Sequence, residues 1–170
     1  MQAKLVQPVN PVPEIPGEVR WFLDYFVYVL QNSAAKLHNL SIESVVSSDN
    51  VATDCDVYIL MAVYGDLYGH VGFSMRERVA LDLTEIILQT PQDFFCNAIG
   101  DCLGEIINLI AGNIAAHAAS QNITINISPP SIFYKTQPPA LIVGSGGGVQ
   151  ARIKSECGQF TLEIFLRKAA

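Results

Sequence analysis

The sequence has few charged residues, and fewer basic than acidic ones. Only 15% of its 170 residues are charged, and 10 Lys and Arg stand against 16 Asp and Glu, a net charge of −6. Nucleic-acid-binding proteins carry clustered Lys and Arg, and the sequence contains no such cluster. A nucleic-acid partner is therefore excluded. Half of the residues are apolar, which is typical of a globular chain with a substantial core.

The sequence also lacks an uninterrupted run of 18 apolar residues, and its start lacks a charged segment followed by an apolar one. These absences predict no membrane-spanning segment and no secretory leader. Cysteine is sparse, since Cys55, Cys96, Cys102 and Cys157 lie far apart and form no CxxC pair. In a chain without a leader such cysteines are expected to be reduced, and the expected location is the cytoplasm.

Signals for metal and phosphate sites are equally weak. His38, His70 and His117 have no partner His or Cys at ligand spacing, so we expect no metal site. The glycine-rich segment Gly144–Gly148 lacks the following Lys-Ser/Thr of a phosphate-binding loop and does not open a helix. A flexible hairpin loop is the favoured interpretation of that segment.

The apolar pattern switches between helical and strand periods along the chain. Four prolines within residues 4–16 predict an extended lead-in over residues 1–16, with a short edge strand at Ala3–Val6. Helices are predicted over about Gly17–Leu37, Arg76–Gln89 and Asn97–Ser120. Strands are predicted at Ser41–Ser48, Cys55–Tyr64, Leu67–Met75, Asn122–Ser128, Ser131–Thr136, Pro139–Gly144, Gln150–Glu156 and Phe160–Arg167. This order predicts one α+β domain over residues 1–170, a mostly antiparallel β-sheet with about three helices packed on it.

Two local predictions concern the inward face of the second helix and the start of the third. The apolar residues of the second helix that should face inward are Val79, Leu83, Ile86 and Ile87. Asp93 is a candidate N-cap for the helix that follows, because a carboxylate can accept hydrogen bonds from the free N–H groups of a first turn.

The third predicted helix has the most informative pattern. Apolar residues recur every three or four positions and predict its buried stripe: Ile99, Leu103, Ile106, Ile110 and Ile114. Asp101, Glu105 and Asn108 fall at i, i+4 and i+7, so they share a different face. Glycine inside a helix costs about 0.5–1 kcal/mol relative to alanine, so Gly104 and Gly112 indicate close approach of another backbone or of a ligand. Without further information, an ordinary solvated face is the commoner interpretation.

The segment DCLGEIINLIAGNIAAHAA, followed by NISPPSIFY, resembles the hallmark of the CheC/CheX/FliY family of chemotaxis phosphatases. The family motif pairs a Glu with an Asn three positions later, preceded by an acidic or small polar residue and followed by a proline some twenty residues on. Here these positions are Asp101, Glu105, Asn108 and Pro130. The strings N-x-I-A-G and S-P-P are closest to the CheX-like branch, whose members carry one copy of the motif, as this chain does.

The resemblance implies a CheX/CheC-like fold and hydrolysis of the phospho-aspartate of a CheY-like response-regulator receiver. An acyl phosphate is already activated and the receiver would supply the divalent metal, so no cofactor is expected on this chain. Asn108 would position the attacking water, because a carboxamide both donates and accepts. Glu105 would dock the receiver by pairing with its active-site lysine. Supporting roles are implied for Asp101, Gly104, Gly112 and Pro130.

Two other functions stay open from the sequence. A non-catalytic interaction module would bind a response regulator or a flagellar switch component through the same helix, without turnover. A small-ligand sensor would need polar residues converging in a pocket between helices and sheet, and the apolar stripes show few. The resemblance further implies a homodimer, as in the sheet-paired members of the CheX-like branch.

Overall fold

The computed structural model describes residues 17–32, 41–48, 54–136 and 148–169. Within these ranges the chain forms three helices and seven strands, in the order α1 Gly17–Asn32, β1 Ser41–Ser48, β2 Val57–Gly65, β3 Leu67–Met75, α2 Glu77–Leu88, α3 Asn97–Ser120, β4 Ile125–Ile127, β5 Ser131–Tyr134, β6 Gly148–Ser155 and β7 Gly158–Lys168. The sequence-based predictions for the lead-in, the edge strand Ala3–Val6, the helix beyond Asn32, the strand Pro139–Gly144 and the loop 144–147 lie outside the described residues.

The seven strands form one antiparallel sheet in the order β1-β6-β7-β3-β2-β4, and β5 also pairs with β2. The hairpin of β2 and β3 turns at Gly65 and Asp66, as expected. β4 pairs with the end of β2 and β5 with its beginning, so together they make an interrupted edge strand. The predicted α+β class, a mostly antiparallel sheet with three helices, is confirmed.

The helices cover one face of the sheet. Alternate residues of β2, from Val57 to Val63, are buried and join the same apolar cluster as Phe22 of α1 and Ile110 of α3. α1 and α2 both contact α3, which itself lies along β4 and β5. Complete burial of one such side chain stabilises a fold by about 1.5–3 kcal/mol. This packing therefore holds α3 firmly at one edge of the sheet.

The opposite face of the sheet carries a buried polar pair. Tyr58 Oη donates a hydrogen bond of 2.9 Å to Glu163 Oε2, and both side chains are almost fully buried. Burial, together with the nearby carboxylate, raises the pKa of the Tyr58 phenol far above its ordinary value. Gly72 lies between them in the sheet, and a Cβ at this position would overlap the phenol of Tyr58.

Some expectations about which residues of α2 and α3 are buried were wrong. Ile86 and Ile87 are 39% and 37% exposed, because the residues of α2 that are buried all lie between Val79 and Thr84. Helical periodicity predicts which side of a helix faces inward, but it does not predict where along the axis the neighbouring layer ends. In α3, Ile107 is buried where Ile106 was expected and Ile106 is only partly covered. Spacings of three and four are both helical, so the pattern alone did not decide which of these two adjacent isoleucines faces the core.

The N-cap of α3 also differs from expectation. The helix begins at Asn97, after Cys96 in an extended conformation and without a side-chain cap. Asp93 therefore is not its N-cap, since three residues separate it from the first helical residue. The strand predicted from Asn122 is shorter, because Asn122 has φ +59° and only Ile125–Ile127 is extended. The four cysteines are free thiols.

Candidate functional site

The polar row of α3 faces away from the core. Asp101, Glu105 and Asn108 are all exposed, while the opposite side of the helix is buried through Ile99, Leu103, Ile107, Ile110 and Ile114. At 1.5 Å of rise per residue, the row extends about 10 Å along the helix. The structure thus presents two carboxylates and a carboxamide on one accessible strip.

These three side chains have no partner in the part of the chain that the structure describes. Within the described ranges, none of them takes part in a hydrogen bond or an ion pair. The nearby Asn113 differs, because its Nδ2 donates to the carbonyl oxygen of Leu109 at 2.8 Å, one turn back on the same helix. The amide of Asn108 consequently has its donors and its acceptor available for a molecule outside this chain.

Gly104 and Pro130, two of the predicted supporting residues, lie together. A Cβ built at Gly104 would be 3.8 Å from Pro130 Cγ and 3.7 Å from Ile132 Cδ1, both in the segment that begins β5. These are ordinary van der Waals separations, so alanine would fit at Gly104 without displacing its neighbours. Gly112 is exposed, and a Cβ there would meet nothing within 4 Å. Packing against the residues that the structure describes therefore requires glycine at neither position.

The Ser-Pro-Pro segment joins β4 to β5, and Ser128 continues the hydrogen bonding to β2 beyond the end of β4. Ser128 N donates to Ala62 O at 2.9 Å, and Ser128 Oγ accepts from Ala62 N at 2.9 Å. The serine hydroxyl thus replaces a carbonyl in the ladder, and the next two residues, prolines, have no N–H that needs a partner. This arrangement holds Pro130 against the flank of α3.

The carboxylate of Glu77 binds several groups and anchors the loop that leads into α3. Glu77 Oε1 accepts from Tyr134 Oη at 2.8 Å and from Phe95 N at 3.3 Å, and its Oε2 pairs with Lys135 Nζ at 2.9 Å. The rings of Phe95 and Tyr134 stack with centroids 4.2 Å apart. Hydrogen bonds from Lys135 and then Tyr134 lower the pKa of the Glu77 carboxyl. We refer to Glu77, Phe95, Tyr134 and Lys135 as the Glu77 cluster.

Two exposed apolar residues, one on α3 and one in the loop before it, were not predicted as part of a surface. Leu109 is 49% exposed and Phe94, three residues before the helix, is 68% exposed. Leu109 could have been found from its spacing, because it follows Glu105 by four positions and precedes Gly112 by three, so it shares their face. No sequence signal marked Phe94, whose exposure depends on the path of the loop before α3.

A small apolar cavity lies between the helices and the sheet. The cavity there has a volume of about 20 Å³ and is lined by apolar side chains, among them Leu83, Ile106 and Phe160. Such a volume holds about one water molecule. A wider open depression, of about 550 Å³, lies at the far end of α3 beside Trp21 and Lys168. Among the described residues, no three His, Cys, Asp or Glu side chains are grouped to hold a metal ion.

By length and composition alone, one of the described helices, α3, could cross a membrane, with a mean hydropathy of 1.3 over its most apolar window. Core helices of globular proteins pass the same test. In the structure, the apolar side of α3 packs on the sheet and on the other two helices, and its outer side carries the polar row.

Comparison with known proteins identifies the family of this chain. The family model described as "Chemotaxis phosphatase CheX" matches residues 57–161, a segment that contains Asp101, Glu105, Asn108 and Pro130. No curated protein matches the chain. The chain belongs to the CheX family, and thus to the wider group of CheC, CheX and FliY proteins, as the sequence motif predicted.

Solved structures share this fold at low sequence identity. The chemotaxis protein CheX from Vibrio vulnificus is similar with a TM-score of 0.71 and 19% identity, over 86% of this chain and 96% of that one. A CheC-like superfamily protein from Shewanella sp. PV-4 has a TM-score of 0.75 and 17% identity, over 90% and 99%. A CheX–CheY–BeF3–Mg²⁺ complex from Borrelia burgdorferi has a TM-score of 0.67 and 16% identity, over 88% and 97%.

Proposed function

We propose that this protein hydrolyses the phospho-aspartate of a CheY-like response-regulator receiver, docking on the receiver through the outer face of α3. The observation that carries the proposal is the row Asp101, Glu105 and Asn108, which is exposed and has no internal partner within the described ranges. The family supports the same reaction. The fold relative from Borrelia burgdorferi, which was solved together with CheY, BeF3 and Mg²⁺, supports the same kind of partner.

Asn108 is the proposed catalytic residue. An acyl phosphate needs no general base of high strength, so catalysis consists mainly of holding a water in line with phosphorus. A carboxamide can donate to the phosphoryl oxygens or to water through its nitrogen and accept from the water through its oxygen. The divalent metal that neutralises the phosphoryl group would be held by the receiver, and this chain would contribute none.

Glu105 is the proposed docking residue. It lies one turn before Asn108, so a cation of the receiver that pairs with Glu105 would hold the Asn108 amide at a constant distance from the phosphoryl group. Asp101 lies a further turn away and would strengthen the negative potential of the strip. Pro130 lies beside Gly104 and would help to keep α3 in place, and the absence of a side chain at Gly112 would give the partner room to approach.

A catalytically silent binder is the second candidate, because the same exposed strip serves recognition without turnover. It would bind a response regulator or a flagellar switch component. The ligand-sensor hypothesis receives no support from the cavity of about 20 Å³ between helices and sheet. A homodimer and a cytoplasmic location belong to the proposal as implications of the family; sedimentation that finds only monomer at working concentration would contradict the dimer.

The decisive experiment measures phosphate release from a CheY-like receiver of the same organism, phosphorylated with acetyl phosphate, in the presence of wild type, Asn108→Ala and Asn113→Ala. We expect wild type to accelerate release, and Asn108→Ala to lower the rate about 100-fold, the usual loss when a preorganised hydrogen-bonding group is removed. Asn113→Ala is the matched control, because its amide is bonded to its own helix. It should keep the rate within about twofold.

Binding of the beryllofluoride-loaded receiver, measured on the same variants, separates the two candidates. The phosphatase proposal requires Asn108→Ala to bind nearly as well as wild type while losing turnover. If wild type binds and does not accelerate release, the protein is a silent binder. If Asn108→Ala and Asn113→Ala lose the same amount of activity, the assigned role of Asn108 is wrong.

A further inference from the structure

Leu109 has an unusual position for a half-exposed leucine. Its side chain is 49% exposed on the outer face of α3, directly after Asn108 and between Glu105 and Gly112 on that face. Single exposed apolar residues are common on protein surfaces and need no explanation. The neighbours of Leu109 make this case different.

The neighbours of Leu109 on the next turn of α3 are a glycine and an asparagine bonded to its own helix. Gly112, on the next turn, has no side chain, and the space a Cβ would occupy there is empty. The amide of Asn113 donates to the carbonyl oxygen of Leu109, so its polar group is held against the backbone of its own helix. The leucine therefore has open space on the side of Gly112, along the strip that carries the polar row.

Leu109 also continues the apolar interior outward. Ile106 lies three residues earlier, next to Leu109 on the helix surface, and lines the small apolar cavity together with Ile87 of α2. Ile87 and Ile106 are only partly covered. An apolar strip thus runs from the helix-packing region to the edge of the polar row, and Leu109 is its outermost member.

We propose that Leu109 is the apolar affinity contact of the docking surface, buried against an apolar patch of the receiver when Glu105 and Asn108 engage. This inference rests on the proposed function. Interfaces typically combine a few buried apolar anchors with polar groups around them, and the row by itself contains no anchor. Because the leucine would be buried equally in the bound complex and in the transition state, it governs affinity and does not change the chemical step.

The test compares Leu109→Ala with wild type in phosphate release from the phosphorylated receiver and in binding of the beryllofluoride-loaded receiver. We expect KM and Kd to rise about tenfold, the typical range when a half-exposed apolar anchor is truncated, while kcat stays within about twofold. Leu109→Met should keep KM near wild type, because methionine has similar volume and apolar character. The exposed position makes misfolding of these variants no concern, and circular dichroism checks it.

Val46→Ala is the matched control. Val46 is also 49% exposed, but it belongs to β1 at the opposite edge of the sheet, beside the buried Val45 and on the face without helices. It should leave KM, Kd and kcat unchanged. A rise in KM that is equal for Leu109→Ala and Val46→Ala would overturn the proposal, and so would a loss of kcat at unchanged KM in Leu109→Ala.

Failure of the inference and failure of the proposed function remain distinguishable. If wild type binds the receiver without turnover, hydrolysis is wrong, and the ratio of Kd values for Leu109→Ala and wild type still decides the role of Leu109. If wild type binds and Leu109→Ala binds equally well, only the inference fails. If wild type does not bind the receiver, both fail.

Discussion

Glycines in the sheet and glycines on α3 have opposite surroundings. A Cβ at Gly72 would overlap the hydroxyl of Tyr58 and lie 2.8 Å from its Cζ, and one at Gly148 would overlap the ring of Phe165. On α3, a Cβ at Gly104 would be in ordinary contact, and one at Gly112 would meet nothing. The sheet positions are glycine because neighbouring side chains occupy the space of a Cβ.

Gly104 and Gly112 of α3 have no such cause among the described residues. Each of them costs about 0.5–1 kcal/mol of helix stability relative to alanine. Packing within the described residues does not require this cost at Gly112. The proposed docking of a partner on this face of the helix would account for it. Substitutions at both kinds of position test this conclusion.

The largest expected effect is at Gly72. Gly72→Ala places a methyl group against the buried Tyr58 phenol and should lower the free energy of unfolding by about 1–3 kcal/mol, the usual cost of overpacking a core. Urea unfolding followed by circular dichroism measures it. Combining the change with Tyr58→Phe, which removes the nearest atom, should cost less than the sum of the two single changes. Unchanged stability of Gly72→Ala would contradict the conclusion that the Tyr58 side chain leaves no space for a Cβ at this position.

A smaller effect of the opposite sign is expected at Gly112. Gly112→Ala should raise the free energy of unfolding by about 0.5–1 kcal/mol, because alanine is the better helix former and the added methyl meets no atom. The same variant should weaken binding of the beryllofluoride-loaded receiver several-fold by standing in the docking surface. A variant that is more stable and binds as tightly as wild type would show that the partner does not approach Gly112.

The smallest expected effect concerns side chains in place of glycines. It compares Glu77, which has partners inside the chain, with Asn108, which has none among the described residues. Glu77 is engaged: hydrogen bonds from Lys135 and Tyr134 lower the pKa of its carboxyl below the ordinary value of 4.5. Its contribution to stability is therefore complete above about pH 4.5 and is lost as the pH falls through the lower pKa of the folded state. Thermal unfolding between pH 3 and 6 should show this loss in wild type and a shallower acid slope in Glu77→Gln.

Lys135→Met provides a second check on that slope. It removes the largest cause of the lowered pKa of Glu77, so it should also make the acid slope shallower. An acid slope in Glu77→Gln that equals that of wild type would mean that the Glu77 cluster does not contribute to acid stability. Asn108→Ala, whose side chain has no internal partner within the described ranges, should follow the wild-type curve throughout.

Elements with a strong local period were predictable from the sequence. The strand Leu67–Met75 and the helix Asn97–Ser120 have the bounds that their patterns indicated. The polar row followed directly, because residues at i, i+4 and i+7 of a helix share a face whatever surrounds it. What the row does remains a prediction about Asp101, Glu105 and Asn108 until turnover is measured.

Features that depend on distant neighbours were not predictable. Glu163 belongs to a strand whose alternating pattern indicated one buried face, and it is nevertheless buried on the other face with Tyr58, 105 positions away in the chain. The exposure of Ile86 and Ile87 depends on where the packing partners of α2 end. Periodicity contains no information on either point, because each depends on a contact between separate elements.

The sequence by itself determined the helices, most of the strands and the alignment of one carboxamide with two carboxylates, since these depend on backbone geometry over a few residues. Only the tertiary structure decided that Pro130 lies beside Gly104, that the Glu77 cluster anchors the start of α3, and that the polar row has no partner among the described residues. The physical reason is that burial and pairing of a side chain depend on which other elements reach it, and those elements are distant in the sequence.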